Sequence, residues 1–217
     1  MATITTIEAQ KHNKERANIY LDGQYAFSVT LIEAAKLRKG QILTDGEICA
    51  LQDTDHINRA VDQAARFLAH RPRSTHEIRR NLTQKQFPNE VVDTAILHLE
   101  SLGYLDDEAF ARFWVKDRQA FKPRSALALR YELRQKGVEQ HIIDLVLADV
   151  DSHELAYQAA QMKARRFRGL DRETFRHKLG GFLQRRGFAY GIIHAVTEQL
   201  ESELVADDPE FFPDTEG

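Results

Sequence analysis

Apolar and polar positions change period once along this chain. Ile4-Thr5-Thr6-Ile7 is a short β-prone run, Ala17 to Asp22 and Gln24 to Thr30 are two more, and the last two meet at Asp22-Gly23. An Asp-Gly pair supplies the positive φ angles of a tight hairpin, and alternation of Ile19 and Leu21 with Tyr20 and Asp22 suits a half-buried ribbon. A small antiparallel sheet is predicted. From Leu31 the spacing becomes helical: Leu31, Ala34, Ala35 and Leu37 suit a short helix ended by Gly40, and Thr44 caps another over Gly46 to Leu51. Beyond Asp55 every periodic stretch reads as helix.

The helices repeat. Pro72-Arg73-Ser74 returns as Pro123-Arg124-Ser125, an offset of 51 that also carries Leu82 to Leu133, Lys85 to Lys136, Phe87 to Val138, Val91-Val92 to Ile142-Ile143, Ile96 to Leu147 and Leu99 to Val150. A third copy follows at an offset of 50, taking Leu133 to Leu183, Lys136-Gly137-Val138 to Arg186-Gly187-Phe188 and Ile142-Ile143 to Ile192-Ile193. So many matches in register mark an internal repeat. Gly137 and Gly187 suit a left-handed position that ends a helix, whereas the first copy has Gln86 there.

Each copy holds three helices. In the first, Ile57, Val61, Ala64, Ala65 and Leu68 form one stripe, Ser74-Thr-His-Glu77 is a capping box for a second helix, and Asn89 caps a third that Gly103 closes. Asp106, Ser125 and roughly Gln140 start the helices of the second copy; Asp151 or Ser152, Asp171 and roughly Ala189 start those of the third. The expected fold is mainly α: three tandem three-helix repeats in an elongated curved rod, with a small N-terminal antiparallel sheet. The divisions are an extension at 1–55, repeats at 56–105, 106–151 and 152–205, and a frayed acidic tail at 206–217.

Chemistry is sparse. Asp106-Asp107-Glu108 could hold Mg²⁺ in a nuclease, but acidic residues at a helix start satisfy open backbone N–H groups, and that reading is preferred. His194 and Glu198 are too few for a metal site, and no nucleotide-binding or nucleophile motif occurs. Cys49 reads as a small buried apolar residue, Phe110, Phe113 and Trp114 as helix core, and Tyr104 as packing at a helix end. No catalytic residue, metal or cofactor is expected. Nor is a membrane span or signal peptide, which suits a cytoplasmic chain.

Charge is more telling than the overall −3 suggests. Residues 112–190 carry 17 basic and 9 acidic side chains, net +8, and residues 191–217 carry 8 acidic residues and no Lys or Arg. The sharpest run is Lys163, Arg165, Arg166, Arg168, Arg172, Arg176, Lys178, Arg185 and Arg186, a local excess of +7 against Asp171 and Glu173. Such a patch steers polyanions.

Pro72-Arg73-Ser74 with Glu77 and Leu82, then Leu102-Gly103-Tyr104-Leu105-Asp106-Asp107 with Phe110-Ala111, then Arg118 and Leu133 with Lys136-Gly137, resembles the RecX family. The resemblance covers roughly residues 56–203 and extends to the N-terminal hairpin. It implies a non-enzymatic, monomeric regulator that lies in the groove of the RecA filament, touches single-stranded and double-stranded DNA, and restrains recombinase, ATPase and coprotease activities in DNA repair and the SOS response. Expected contacts, chosen by charge, are Arg71, Arg73, Arg118, Lys122, Arg124, Lys136, Arg165, Arg166, Arg168, Arg176, Arg185 and Arg186; the family motif itself supplies only Arg73, Arg118, Arg124 and Lys136. The acidic tail could fold back on the basic patch and compete with DNA. The alternative is a helix-turn-helix-like protein on duplex DNA, but the third helices begin with apolar pairs suited to a core rather than to base edges.

Overall fold

The structure is a computed structural model that describes residues 1–213. It divides into two compact units, 1–105 and 106–217.

The first unit opens with strands β1 (Ala2–Ala9), β2 (Arg16–Leu21) and β3 (Gln24–Thr30), the one-turn helix α1 (Leu31–Ala34) and the short strand β4 (Ile42–Leu43). The sheet order is β3-β2-β1-β4, antiparallel throughout. Asp22 and Gly23 both take positive φ, 51° and 85°, as the hairpin requires. Ile4, Ile19, Phe27, Val29 and Leu43 line its buried face, against which Ile48 and Leu51 pack.

Ile48 and Leu51 belong to α2 (Asp45–Leu68), one uninterrupted helix where the sequence suggested two. Thr44 and Glu47 form its capping box. A helix breaker is missing at the suspected join, and Arg16 of β2 instead meets the buried Asp55 at 2.7 Å, fastening the middle of α2 to the sheet. Cys49 is exposed rather than buried, because Ile48 and Leu51 take the core-facing side of that turn. The end of α2 joins α3 (Thr75–Gln84) and α4 (Asn89–Ser101) around Ala60, Ala64, Ile78, Leu82, Val92, Ile96 and Leu99. Ser74 and Glu77 form the expected capping box. Pro88, not Asn89, sits at the N-cap of α4, with no side-chain cap.

The second unit holds two further three-helix copies: α5 (Asp107–Phe121), α6 (Ala126–Gln135) and α7 (Gln140–Leu147), then α8 (Ser152–Ala164), α9 (Arg172–Arg185) and α10 (Tyr190–Asp207). Asp106, Ser125, Asp151 and Asp171 cap α5, α6, α8 and α9 through their side-chain oxygens. Asp106 therefore serves backbone N–H groups, as expected, and Glu108 pairs with Arg112. Phe110 is buried, but Phe113 and Tyr104 are exposed, against the expectation that both would pack.

All three copies end their second helix in the same way. Gln86, Gly137 and Gly187 have φ of 63°, 75° and 86°. Each donates its N–H to the carbonyl of Thr83, Arg134 or Gln184, and the next residue donates to Leu82, Leu133 or Leu183. This paired closure satisfies carbonyls that the helix leaves open.

The expected frayed tail is packed where it is described. Phe211 and Phe212 are buried, their rings 6.0 and 5.1 Å from Phe175, and Gly169 donates its N–H to the Phe211 carbonyl at 3.0 Å. Two adjacent phenylalanines carry more apolar surface than an exposed tail can leave in water. Residues 214–217 lie outside the described part.

Candidate polyanion-binding surface

A cationic side chain meets a polyanion most readily when its charge is free and faces solvent, and the twelve residues expected from the sequence differ by that test. In the first unit Arg71 donates to the Pro72 carbonyl and to both Glu77 carboxylate oxygens, at 2.8 to 3.2 Å. Arg73 turns inward, its guanidinium 3.8 Å above the Phe67 ring. Burial, reinforced by the nearby Arg71 charge, lowers its pKa, and Glu77 partly offsets this. Its place after Pro72 makes it a packing residue that holds the turn before α3.

In the second repeat the cations gather on Trp114 and Glu132. Glu132 accepts from the Trp114 indole N–H at 2.7 Å and from Arg118 at 2.9 Å, and Arg124 reaches its other oxygen at 2.9 Å. Arg118 and Lys136 lie over the Trp114 ring, 4.2 and 4.8 Å from its centroid. One carboxylate and one indole thus fix three cations, worth about 0.5–1 kcal/mol for each exposed cation–π contact. Lys122 is exposed, with no ion-pair partner among the described residues.

The third repeat holds the basic run, and α10 answers part of it. Glu201 is buried and accepts from Arg172 at 3.0 Å and from Arg176 at 2.7 Å, and that hydrogen bond raises the Arg176 pKa. Arg168 pairs with Asp208 at 2.9 Å. Arg186 donates to the Pro123 carbonyl at 2.8 Å and covers Phe182, and burial, with the Arg124 charge, lowers its pKa. Arg165, Arg166 and Arg185 remain exposed without ion-pair partners among the described residues, and so does Lys178, a member of the run left out of the chosen twelve. The linear count of +7 set the run only against Asp171 and Glu173 within it. Glu201 and Asp208 lie beyond the run in sequence, in or just after α10, and reach it only through the fold.

Among the described residues no cluster of three His, Cys, Asp or Glu side chains could hold a metal ion; His194 pairs with Glu198 at 3.2 Å. No helix of the described part is long and apolar enough to cross a membrane.

Comparison with known proteins agrees along the chain. Residues 2–44 match the regulatory protein RecX N-terminal domain, and residues 60–99, 106–147 and 149–197 match the first, second and third three-helix domains of RecX. The chain is 36% identical to the regulatory protein RecX of Lactobacillus delbrueckii subsp. bulgaricus over 95% of its length and 78% of that protein's. To the same-named protein of Bacillus subtilis it is 32% identical, over 94% and 79% of the two chains. A crystal structure of a regulatory protein RecX superposes with a TM-score of 0.70 at 30% identity, covering 91% of this chain and 100% of that one. The RecX crystal structure from Lactobacillus salivarius shares the fold at a TM-score of 0.59 and 20% identity, over 69% and 99%. On a sheet-bearing extension, three like-closed helical repeats and matches to all four domains, the chain belongs to the RecX family of regulatory proteins.

Proposed function

We propose that this protein is a non-enzymatic regulator that binds the RecA–DNA filament and restrains recombinase, ATPase and coprotease activity. The observation that carries the reading is the tandem repeat itself, with cations left free on its second and third copies. Several weak contacts on successive protomers of a repetitive filament act together, because each bound contact raises the effective concentration of the next. Lys122, Arg165, Arg166, Lys178 and Arg185 are the cations placed to meet the filament's protein or phosphate. Arg186 supports that surface by packing on Phe182, Arg73 packs on Phe67 within the first repeat, and Arg71, Arg118, Arg124, Lys136, Arg168 and Arg176 are already held by carboxylates, carbonyls or rings.

Restraint follows only if binding favours one filament state over another. Contacts that span protomers do so when their spacing fits one helical pitch better than another. The apolar pairs opening the third helices of the first two copies argue against base reading on duplex DNA: Val92 and Ile143 are fully buried, so those helix starts serve the core.

Cosedimentation with preformed RecA filaments on single-stranded DNA tests the reading. The wild-type chain pellets with filaments, and the combined Arg165→Glu, Arg166→Glu and Arg185→Glu variant pellets at least tenfold less at moderate salt, on the steep dependence of phosphate contacts on charge. Equal pelleting by both proteins would overturn the charged-surface assignment.

A further inference from the structure

The three repeats share one plan, so a place where the third departs from the other two is informative. In the first two copies an ion pair bridges the second and third helices at one register: Arg79 with Asp93 across α3 and α4, and Arg130 with Asp144 across α6 and α7. The same offsets place Gly180 and His194 there in the third copy. That bridge is gone, and a groove of about 570 Å³ lies open between α9 and α10.

Three more departures fall on the same groove. The buried apolar position of Ile96 and Leu147 becomes Thr197, whose hydroxyl is buried with no hydrogen-bond partner among the described residues. Asn89 and Gln140, first residues of the earlier third helices, give way to Tyr190, whose side chain stands 82% exposed at the groove. Gly181 follows Gly180 inside α9. A Cβ at these positions would meet only ordinary contacts, Ile193 at 3.6 Å and the Arg185 guanidinium at 3.4 Å. Glycine inside a helix is destabilising relative to alanine, and packing does not demand it here; what it offers is close approach by another molecule.

We propose that the α9–α10 groove takes an unpaired nucleotide of single-stranded DNA, an inference that rests on the filament-binding reading above. Charge chooses the occupant. Arg176 lines the groove and the Arg185 guanidinium lies beside Gly181, while Arg172 and Arg176 share the single carboxylate of Glu201; on the facing wall the Glu198 carboxylate pairs with His194 at 3.2 Å, so the α9 wall carries the excess of positive charge. Tyr190 presents a ring face on which any base can stack, and sequence-tolerant stacking is how proteins hold single strands without reading them. His177 and Gln184 line the groove as hydrogen-bonding partners for base edges. The lining combines apolar Phe188, Tyr190 and Ile193 with the hydrogen-bonding groups of Arg176, His177, Gln184 and Thr197, a combination that suits a flat base with polar edges.

Fluorescence anisotropy with the full chain, comparing labelled oligothymidylate with an abasic oligonucleotide of equal length across a salt series, tests this. Two variants accompany the wild type: the exposed Tyr190→Ala, and Gly180→Arg with His194→Asp, which rebuilds the ion pair of the other repeats at unchanged net charge. The wild type is expected to bind oligothymidylate about tenfold tighter than the abasic strand, and both variants to lose that preference while keeping the same salt slope. Wild-type affinity that ignores the bases, or variants that bind oligothymidylate as the wild type does, would overturn the proposal. If the bridged variant keeps DNA binding but no longer pellets with filaments, the groove takes a protein segment and the nucleotide assignment fails. If the wild type binds neither oligonucleotide yet pellets with filaments, the nucleotide groove fails and the filament reading stands.

Discussion

Gly187 shows how much one position can carry. Its φ of 86° is one that L side chains adopt at a cost, and a Cβ there would lie 2.8 Å from the Ser125 hydroxyl oxygen and 3.1 Å from the Ala128 Cβ, disturbing the cap of α6 as well. Gly187→Ala is expected to lose at least about 1–2 kcal/mol, read as a lower urea midpoint. The reciprocal change tests the same physics: Gln86 pays for its φ of 63° without the freedom of glycine, and Gln86→Gly is expected to gain up to about 1 kcal/mol. Arg73 makes the matching point for the surface. Arg73→Ala is expected to lower stability by roughly 1–2 kcal/mol through lost packing on Phe67, whereas Arg165→Ala and Arg166→Ala should leave the melting temperature unchanged and weaken polyanion binding. The sequence could rank these arginines only by charge and motif. Whether a guanidinium lies on Phe67, on Trp114 or in water is settled by neighbours brought close in space, so the motif that set Arg73 apart from Arg165 did not show that Arg73 is the one turned inward.

At the scale of elements, periodicity and caps carried most of the information. Ser74, Asp106, Ser125 and Asp171 are helix starts because a short oxygen-bearing side chain there has a specific backbone N–H to satisfy. What local pattern could not show was a contact made at long range. Asp55, where the sequence suggested a gap in α2, pairs with Arg16 of the sheet, and the Phe211–Phe212 pair is drawn onto Phe175 out of what read as a frayed acidic tail. Phe212→Ala is therefore expected to destabilise the third repeat by about 3 kcal/mol, seen as a lower thermal midpoint. Asp208→Asn should instead leave the fold intact and release Arg168. An exposed pair of this kind is worth under about 1 kcal/mol, so single-stranded DNA binding at low salt is expected to tighten by no more than about fivefold; weaker binding would show that Asp208 holds Arg168 in place for its ligand.

The whole molecule joins these levels. Repetition made the fold class readable, because a 51-residue and then a 50-residue offset brought Leu82, Leu133 and Leu183 to equivalent, fully buried positions. The same repetition lets the copies diverge in use, with Arg73 packed in the first, a cation cluster fixed on Trp114 in the second, and free cations beside an open groove in the third. The most direct test of this account is the rate of ATP hydrolysis by a preformed RecA filament on single-stranded DNA as this protein is added. The wild-type chain should slow hydrolysis at substoichiometric amounts, and the Arg165→Glu, Arg166→Glu, Arg185→Glu protein, with unchanged helical circular dichroism, should need at least tenfold more. Hydrolysis unaffected by the wild type, or slowed equally by both proteins, would contradict it.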